Sequence, residues 1–318
     1  MSDPETHPPT PSRRKWILLA GMIAGNVAAA AFFLGILVMM GEPSMQNNNL
    51  GEYGIPSLIF VCLVGGFVAA AVWRRLHLGM GRNALHSLSA TGLAMAGAAL
   101  VFREGSVCLI IGAPFYYVVF LTGSELGRRL FRPDDRLRLS VIPLLFVAAA
   151  VELTTRPVHE GVVTDELRIA APPEKVWPHV LAFRDIEQLA DFWLFRIGLP
   201  YPVSTTNAGN FIGADRACNF SGGAVFREKV AELVPAERLT FDIVESPPDP
   251  ELLGHLDARR GQFLLRDNHD GTTTLVGSTW YSLHVRPAFY FDAWTHHIFR
   301  AVHLRVMNHV KDLAEHEP

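Results

Sequence analysis

The chain has 318 residues, 49% of them hydrophobic and 19% charged, with a formal net charge of −3. That balance offers no basic surface for nucleic acid, and no nucleic-acid partner is expected. The three cysteines, Cys62, Cys108 and Cys218, form no CxxC or Cys/His spacing, so neither a disulfide framework nor a zinc site is indicated.

The hydrophobic excess sits in the first half. Residues 1–15 are polar and proline-rich and read as a disordered tail. Residues 16–40 then run uncharged for longer than the roughly 20 residues a bilayer crossing needs. The small residues Ala28–Ala31 fall in mid-run rather than at a cleavage site, which makes the segment an uncleaved anchor. Further apolar segments follow at about 54–73, 84–102, 105–123 and 139–153, the last ending in Glu152. The expectation is an all-α transmembrane bundle of about five helices, packed closely through its small residues.

Arginine and lysine cluster at Arg13–Lys15, Arg74–Arg82 and Arg128–Arg138, whereas 41–53 has neither. The alternation places the N-terminus in the cytoplasm of a bacterial inner membrane. Five crossings put the rest of the chain outside the cytoplasm, and four would put it inside. The spans hold almost no ionisable residue away from their ends. His86 and Glu125 lie near boundaries, where long or polar side chains reach toward water. The bundle therefore reads as anchor and scaffold rather than as a transporter.

Past Pro157 the character changes. Residues 161–172 read as a strand, and 172–195 have helical spacing interrupted by Pro178, giving one short helix from Pro173 and another from about Asp185. Residues 196–209 look irregular. Alternating strands follow at about 210–220, 224–233, 237–245, 260–267 and 272–286, with a long proline-rich loop at 246–259. Residues 292–317 form a long amphipathic helix with Ile298, Val302, Val306, Val310 and Leu313 as its buried stripe. Strand, two short helices, five strands and a long helix make an α+β domain: a curved antiparallel sheet with the helix across one face.

At this point the residues resemble a known superfamily. The stretch "LRIAAPPEKVWPHVLAF" and the last strand with its long helix resemble SRPBCC proteins, which include START lipid-transfer domains, birch-pollen-allergen-like proteins and polyketide cyclase/dehydrase-like domains. The resemblance covers about 160–315. It implies a helix-grip fold around a hydrophobic ligand pocket, and it carries over no catalytic residue.

Within this domain one pair stands out. If Ser221–Gly223 is a three-residue hairpin loop, Cys218 pairs with Phe226 and Arg216 stands opposite Glu228. Both charges keep step with phenylalanines, so both are expected on the concave, helix-covered face. There they form either a structural ion pair or a polar anchor in a pocket wall. The candidate ligand-binding set is Arg216, Cys218, Phe220, Phe226, Glu228, Phe241, Phe263, Thr279 and Tyr281, with no cofactor and no metal. Tyr281 reads as a hydroxyl donor to a ligand or as a core tyrosine, and Cys218 as a small buried hydrophobe. His296, His297, His303 and His309 read as solvated helix surface beside Arg300.

The expected partners are the bilayer and a hydrophobic or amphipathic small molecule, lipid- or polyketide-like. An alternative makes the domain a cyclase or dehydratase, with Glu228 as base and Arg216 on the oxyanion. Pairing with arginine would lower the pKa of Glu228 and weaken it in that role. A membrane ligand sensor is a second alternative.

Overall fold

A computed structural model describes residues 10–39, 58–103, 105–131, 158–248, 251, 256–285 and 287–316. The chain divides into two compact units, Met1–Arg156 and Pro157–Pro318.

The described part of the first unit is helical: α1 (Pro11–Met39), α2 (Leu58–Trp73), α3 (Met80–Gly97, running into a π-helical turn at Ala98–Phe102) and α4 (Ser106–Leu130). Three stretches, Pro11–Gly35, Ile59–Leu76 and Ser106–Leu130, are long and apolar enough to cross a membrane. The expected span at 84–102 is helical but is not among them. Its helix carries Asn83, His86, Ser87, Ser89 and Thr91. The expected span at 139–153 lies outside the described residues.

Glycines bring these helices together. A Cβ on Gly66 would come within 2.0 Å of the Phe120 carbonyl oxygen, and one on Gly123 within 2.3 Å of the Leu63 carbonyl oxygen. Only the bare backbone lets α2 and α4 approach that closely. Polar side chains then stitch across the apolar interior. Asn83 Nδ2 donates to Glu125 Oε1 at 2.7 Å, Ser124 Oγ donates to Asn83 Oδ1 at 2.8 Å, and Arg128 Nε donates to Glu125 Oε2 at 3.0 Å. Glu125 is thus held by neighbouring helix residues rather than reaching freely for water, because Asn83 and Arg128 satisfy both of its oxygens.

The second unit is a seven-stranded antiparallel sheet in the order β1-β7-β6-β5-β4-β3-β2. Its strands are β1 (His159–Ile169), β2 (Pro202–Asn207), β3 (Asp215–Phe220), β4 (Val225–Val234), β5 (Arg238–Glu245), β6 (Leu256–Asp267) and β7 (Thr273–Leu283). Between β1 and β2 lie α5 (Pro173–Leu181) and the single turn α6 (Trp193–Arg196), and α7 (Ala288–His316) closes the unit. A curled sheet gripped by a C-terminal helix is the arrangement the sequence leads one to expect.

Three segments differ from expectation. No helix starts near Asp185, because the chain there lies extended along the edge strand: Ile186 N donates to Val203 O at 2.8 Å and Thr205 N to Phe183 O at 3.0 Å. For the same reason 196–209 is not wholly irregular. It contains β2, whose Pro202 stands at the first position of an edge strand, where a missing N–H costs no ladder bond. The long helix also begins one turn earlier than expected, at Ala288.

The space between sheet and α7 is packed at one end. Ile169, Val180, Leu239, Leu275, Met307 and Val310 are all essentially inaccessible there. Of the expected α7 stripe, Val306, Val310 and Leu313 belong to this core, whereas Ile298 and Val302, toward the other end, are only half-buried. Backbone without side chains gives aromatic rings room to lie flat on the sheet. A Cβ at Gly261 would fall 2.4 Å from the Phe241 ring, and one at Gly161 would fall 2.4 Å from the Tyr281 ring and hydroxyl.

Candidate functional site

The hairpin that carries the charged pair forms as its turn chemistry requires. Gly222 and Gly223 take φ of 73° and 83°, which a side chain would resist, and Phe220 N donates to Ala224 O at 2.7 Å across the loop. The register then places Arg216 opposite Glu228 and Cys218 opposite Phe226. Both charged residues point into the interior, and Arg216 is 3% and Glu228 5% exposed.

Their partners account for that burial. Arg216 Nη1 donates to Glu228 Oε2. Arg216 Nε lies 3.4 Å from the carbonyl oxygen of Leu181, at the C-terminal end of α5, where an orphan carbonyl and the helix dipole both favour a cation. The guanidinium carbon stands 4.4 Å from the Phe241 ring centroid, a cation–π contact. The arginine thus joins three elements of the fold.

Burial pushes the Glu228 carboxyl above its ordinary range, with the Arg216 charge acting in the opposite direction. Desolvation is the larger influence, contrary to the lowering that pairing alone leads one to expect. Cys218, beside them, is pushed up to about 12 by burial and by the Glu228 charge. It remains a thiol at neutral pH and a poor nucleophile.

The nine candidate residues all occupy the concave face, but in different settings. Arg216, Cys218, Phe220, Phe226, Glu228 and Phe241 gather on β3, β4 and β5, with the Phe220 and Phe226 rings 4.7 Å apart. Phe263 packs into the closed core, 6.2 Å from Phe241. Tyr281 is fully buried and donates its hydroxyl to Asp292 on α7, which ties down the first turns of that helix. Thr279, between them, faces α7 and is half-buried.

The inward-facing sheet residues at this end, Cys218, Phe220, Ile243 and Thr279, keep part of their surface accessible despite the helix above, as does Val302 on that helix. The sheet itself also parts here. Pairing of β5 with β6 stops at Asp242 and Arg260, and a hollow of about 310 Å³ lies beyond, lined by Ile243–Ser246 and Asp257–Arg259. A second hollow, of about 330 Å³, lies at the hairpin against Pro247 and Pro248, and neither hollow is lined by any of the nine candidates.

Sequence reasoning missed two buried polar residues on α7. His303 and His309, expected on the solvated surface, are each 6% exposed. His303 Nδ1 lies 2.9 Å from Asp165 Oδ2 on β1, and its Nε2 lies 2.8 Å from Thr279 Oγ1. His309 Nε2 lies 3.1 Å from Arg184 O. The available signal was Asp165 itself, which alternates in phase with Val163, Leu167 and Ile169, as Arg216 and Glu228 do with their phenylalanines. Among the described residues no group of three or more His, Cys, Asp or Glu is arranged to hold a metal ion.

No protein-family model matches the chain, and no curated protein matches it. Solved structures do match it, norcoclaurine synthase among them. One is a protein from Nitrosospira multiformis, 20% identical, covering 49% of this chain and 98% of that one at a TM-score of 0.33. Another is a truncated norcoclaurine synthase from Thalictrum flavum, 12% identical, covering 52% and 99% at a TM-score of 0.36. Overlap of this extent carries no argument about activity, which must come from the geometry above.

Proposed function

We propose that the second unit binds a hydrophobic or amphipathic small molecule, lipid- or polyketide-like, in the open end of its sheet–helix interior. The observation that carries this reading is the residual accessibility of Cys218, Phe220, Ile243 and Thr279 on the sheet and of Val302 on the helix above them, which seals the opposite end. Apolar walls with a few fixed polar groups suit such a guest. Because Arg216 and Glu228 neutralise each other, the wall they form favours a neutral portion of the guest over an anion.

On the same reading the apolar helices hold the domain at a bacterial inner membrane, into which such guests partition. The basic clusters put the N-terminus in the cytoplasm. A reporter fused after Pro318 tests the side on which the domain lies, and an active cytoplasm-only reporter there would reverse the extracytoplasmic placement. The cyclase alternative draws no support from Glu228, whose carboxylate is committed to Arg216.

The test is binding of N-phenyl-1-naphthylamine, a neutral apolar fluorophore, to the detergent-purified full chain and to Cys218→Trp. The substitution fills the open end, so the fluorescence of bound probe should fall to the detergent background while circular dichroism stays unchanged. Equal probe signal in the two proteins would sink the reading.

A further inference from the structure

The open end holds one polar group that ligand binding does not explain. His303 stands between a carboxylate and a hydroxyl, 2.9 Å from Asp165 Oδ2 and 2.8 Å from Thr279 Oγ1. A carboxylate only accepts hydrogen bonds, so Nδ1 carries the proton and Nε2 is left to accept the threonine hydroxyl. Burial lowers the histidine's pKa, with Asp165 opposing, and this keeps the ring neutral and free to accept a proton, though as a weaker base than an exposed imidazole. Phe299 stacks on the imidazole with centroids 6.4 Å apart, and Arg300, two-thirds exposed, brings Nε to 3.7 Å from Asp165 Oδ1.

Hydroxyl, imidazole and carboxylate in series, each within hydrogen-bond reach of the next, are the parts of an activated nucleophile, recognised by geometry rather than by position in the chain. Asp165 and His303 are buried, whereas Thr279, at the end of the series, keeps accessible surface in the open end.

We propose that Thr279 is a nucleophile, His303 its general base and Asp165 the positioning residue that fixes the imidazole, and that this site transfers acyl groups from activated apolar esters or thioesters. This rests on the reading of the open end as a guest site. Thr279 Oγ1 adds to the acyl carbon as its proton passes to His303 Nε2. The bond to the leaving group breaks, and the departing alkoxide or thiolate takes that proton. Water then attacks the acyl-threonine by the same route, giving its proton to His303, which returns it to Thr279 Oγ1 as the acid leaves.

The experiment uses p-nitrophenyl butyrate and the full chain. Release of p-nitrophenolate is followed by absorbance, and the peptide carrying Thr279 is weighed for one added butyryl group. The native chain and Thr279→Ser should acylate, and Thr279→Val, close in shape but lacking the hydroxyl, should not. His303→Gln should slow acylation by about 100-fold or more, the usual contribution of a general base. Since His303→Gln disturbs a buried contact, Thr279→Val carries the test if that variant fails to fold. Acylation at another residue, or none, with N-phenyl-1-naphthylamine still bound, overturns the relay and leaves the binding reading standing. Absence of both acylation and probe binding overturns the two together.

Discussion

The two ends of the interior beneath α7 solve different problems. At the closed end, Leu239, Leu275, Met307 and Val310 exclude water completely, and the few polar groups there, Thr273 and His309, each bond a backbone carbonyl. At the open end the same helix and the same sheet enclose Arg216, Glu228, Asp165 and His303, and half-buried residues stand among them. Burying those charges contributes little to stability in itself, because desolvation consumes most of what pairing returns. One end holds the fold together, and the other tolerates an expensive arrangement that the first can support.

That contrast can be broken most directly at the charged pair. Arg216→Met alone should destabilise the domain by about 3–5 kcal/mol, since it strands the Glu228 carboxylate in the interior, and Arg216→Met with Glu228→Leu should recover most of the loss. Denaturant unfolding of both variants checks this. If the single change costs no more than the double, the charges are not desolvated. At the closed end, Met307→Ala should cost about 2–5 kcal/mol by leaving a cavity in packed surroundings. Val302→Ala at the open end should cost well under half of that in the same assay.

Gly261→Ala sharpens the comparison where the two ends meet. Its Cβ would strike the Phe241 ring at 2.4 Å, and displacing that ring also disturbs the guanidinium above it. A loss of about 1–3 kcal/mol is expected from overpacking of this kind, together with weaker probe fluorescence.

The smallest effect is with pH. The folded-state pKa of His303 lies below the ordinary 6.5 because burial disfavours the cation. The unfolded chain therefore takes up the proton first, and this contribution to stability is complete above about 6.5 and declines as pH falls from there toward the folded value. His309, lowered by burial as well, acts with the same sign. Glu228 acts oppositely: its raised value means that its penalty is relieved as pH falls through the folded value toward 4.5. The histidine share is isolated by comparison: measured downward from pH 7, the melting temperature of His303→Gln should fall less, or rise more, than that of the native chain. An unchanged slope would show that His303 titrates as an exposed histidine does.

Much of this architecture could be read from alternation alone. The hairpin register followed from Ser221–Gly223, and with it the pairing of Arg216 and Glu228, since a turn of fixed length leaves one register open. The path from Ala182 to Asn207 was not legible, because its order comes from hydrogen bonds to a strand that Pro202 and its polar neighbours disguise. His303 and His309 of α7 were misjudged for a related reason, whereas His296 and His297 are exposed as expected. Helical spacing alone put His303 beside exposed Arg300, and only the fold brings Asp165 from 138 residues away to meet it. A charge in phase with apolar residues was the signal in each case, and it was applied to β3 and β4 but not to β1.

The early end of the β5–β6 ladder has a mechanical consequence. Beyond Asp242 and Arg260 the two strands share no register pairs, so spreading them there sacrifices no ladder hydrogen bonds between them. Lifting α7 would instead strip Val306, Met307 and Val310 from their neighbours. Parting β5 from β6 there therefore disturbs fewer contacts than lifting the helix, and a guest of the kind proposed above would enter while the helix stays seated.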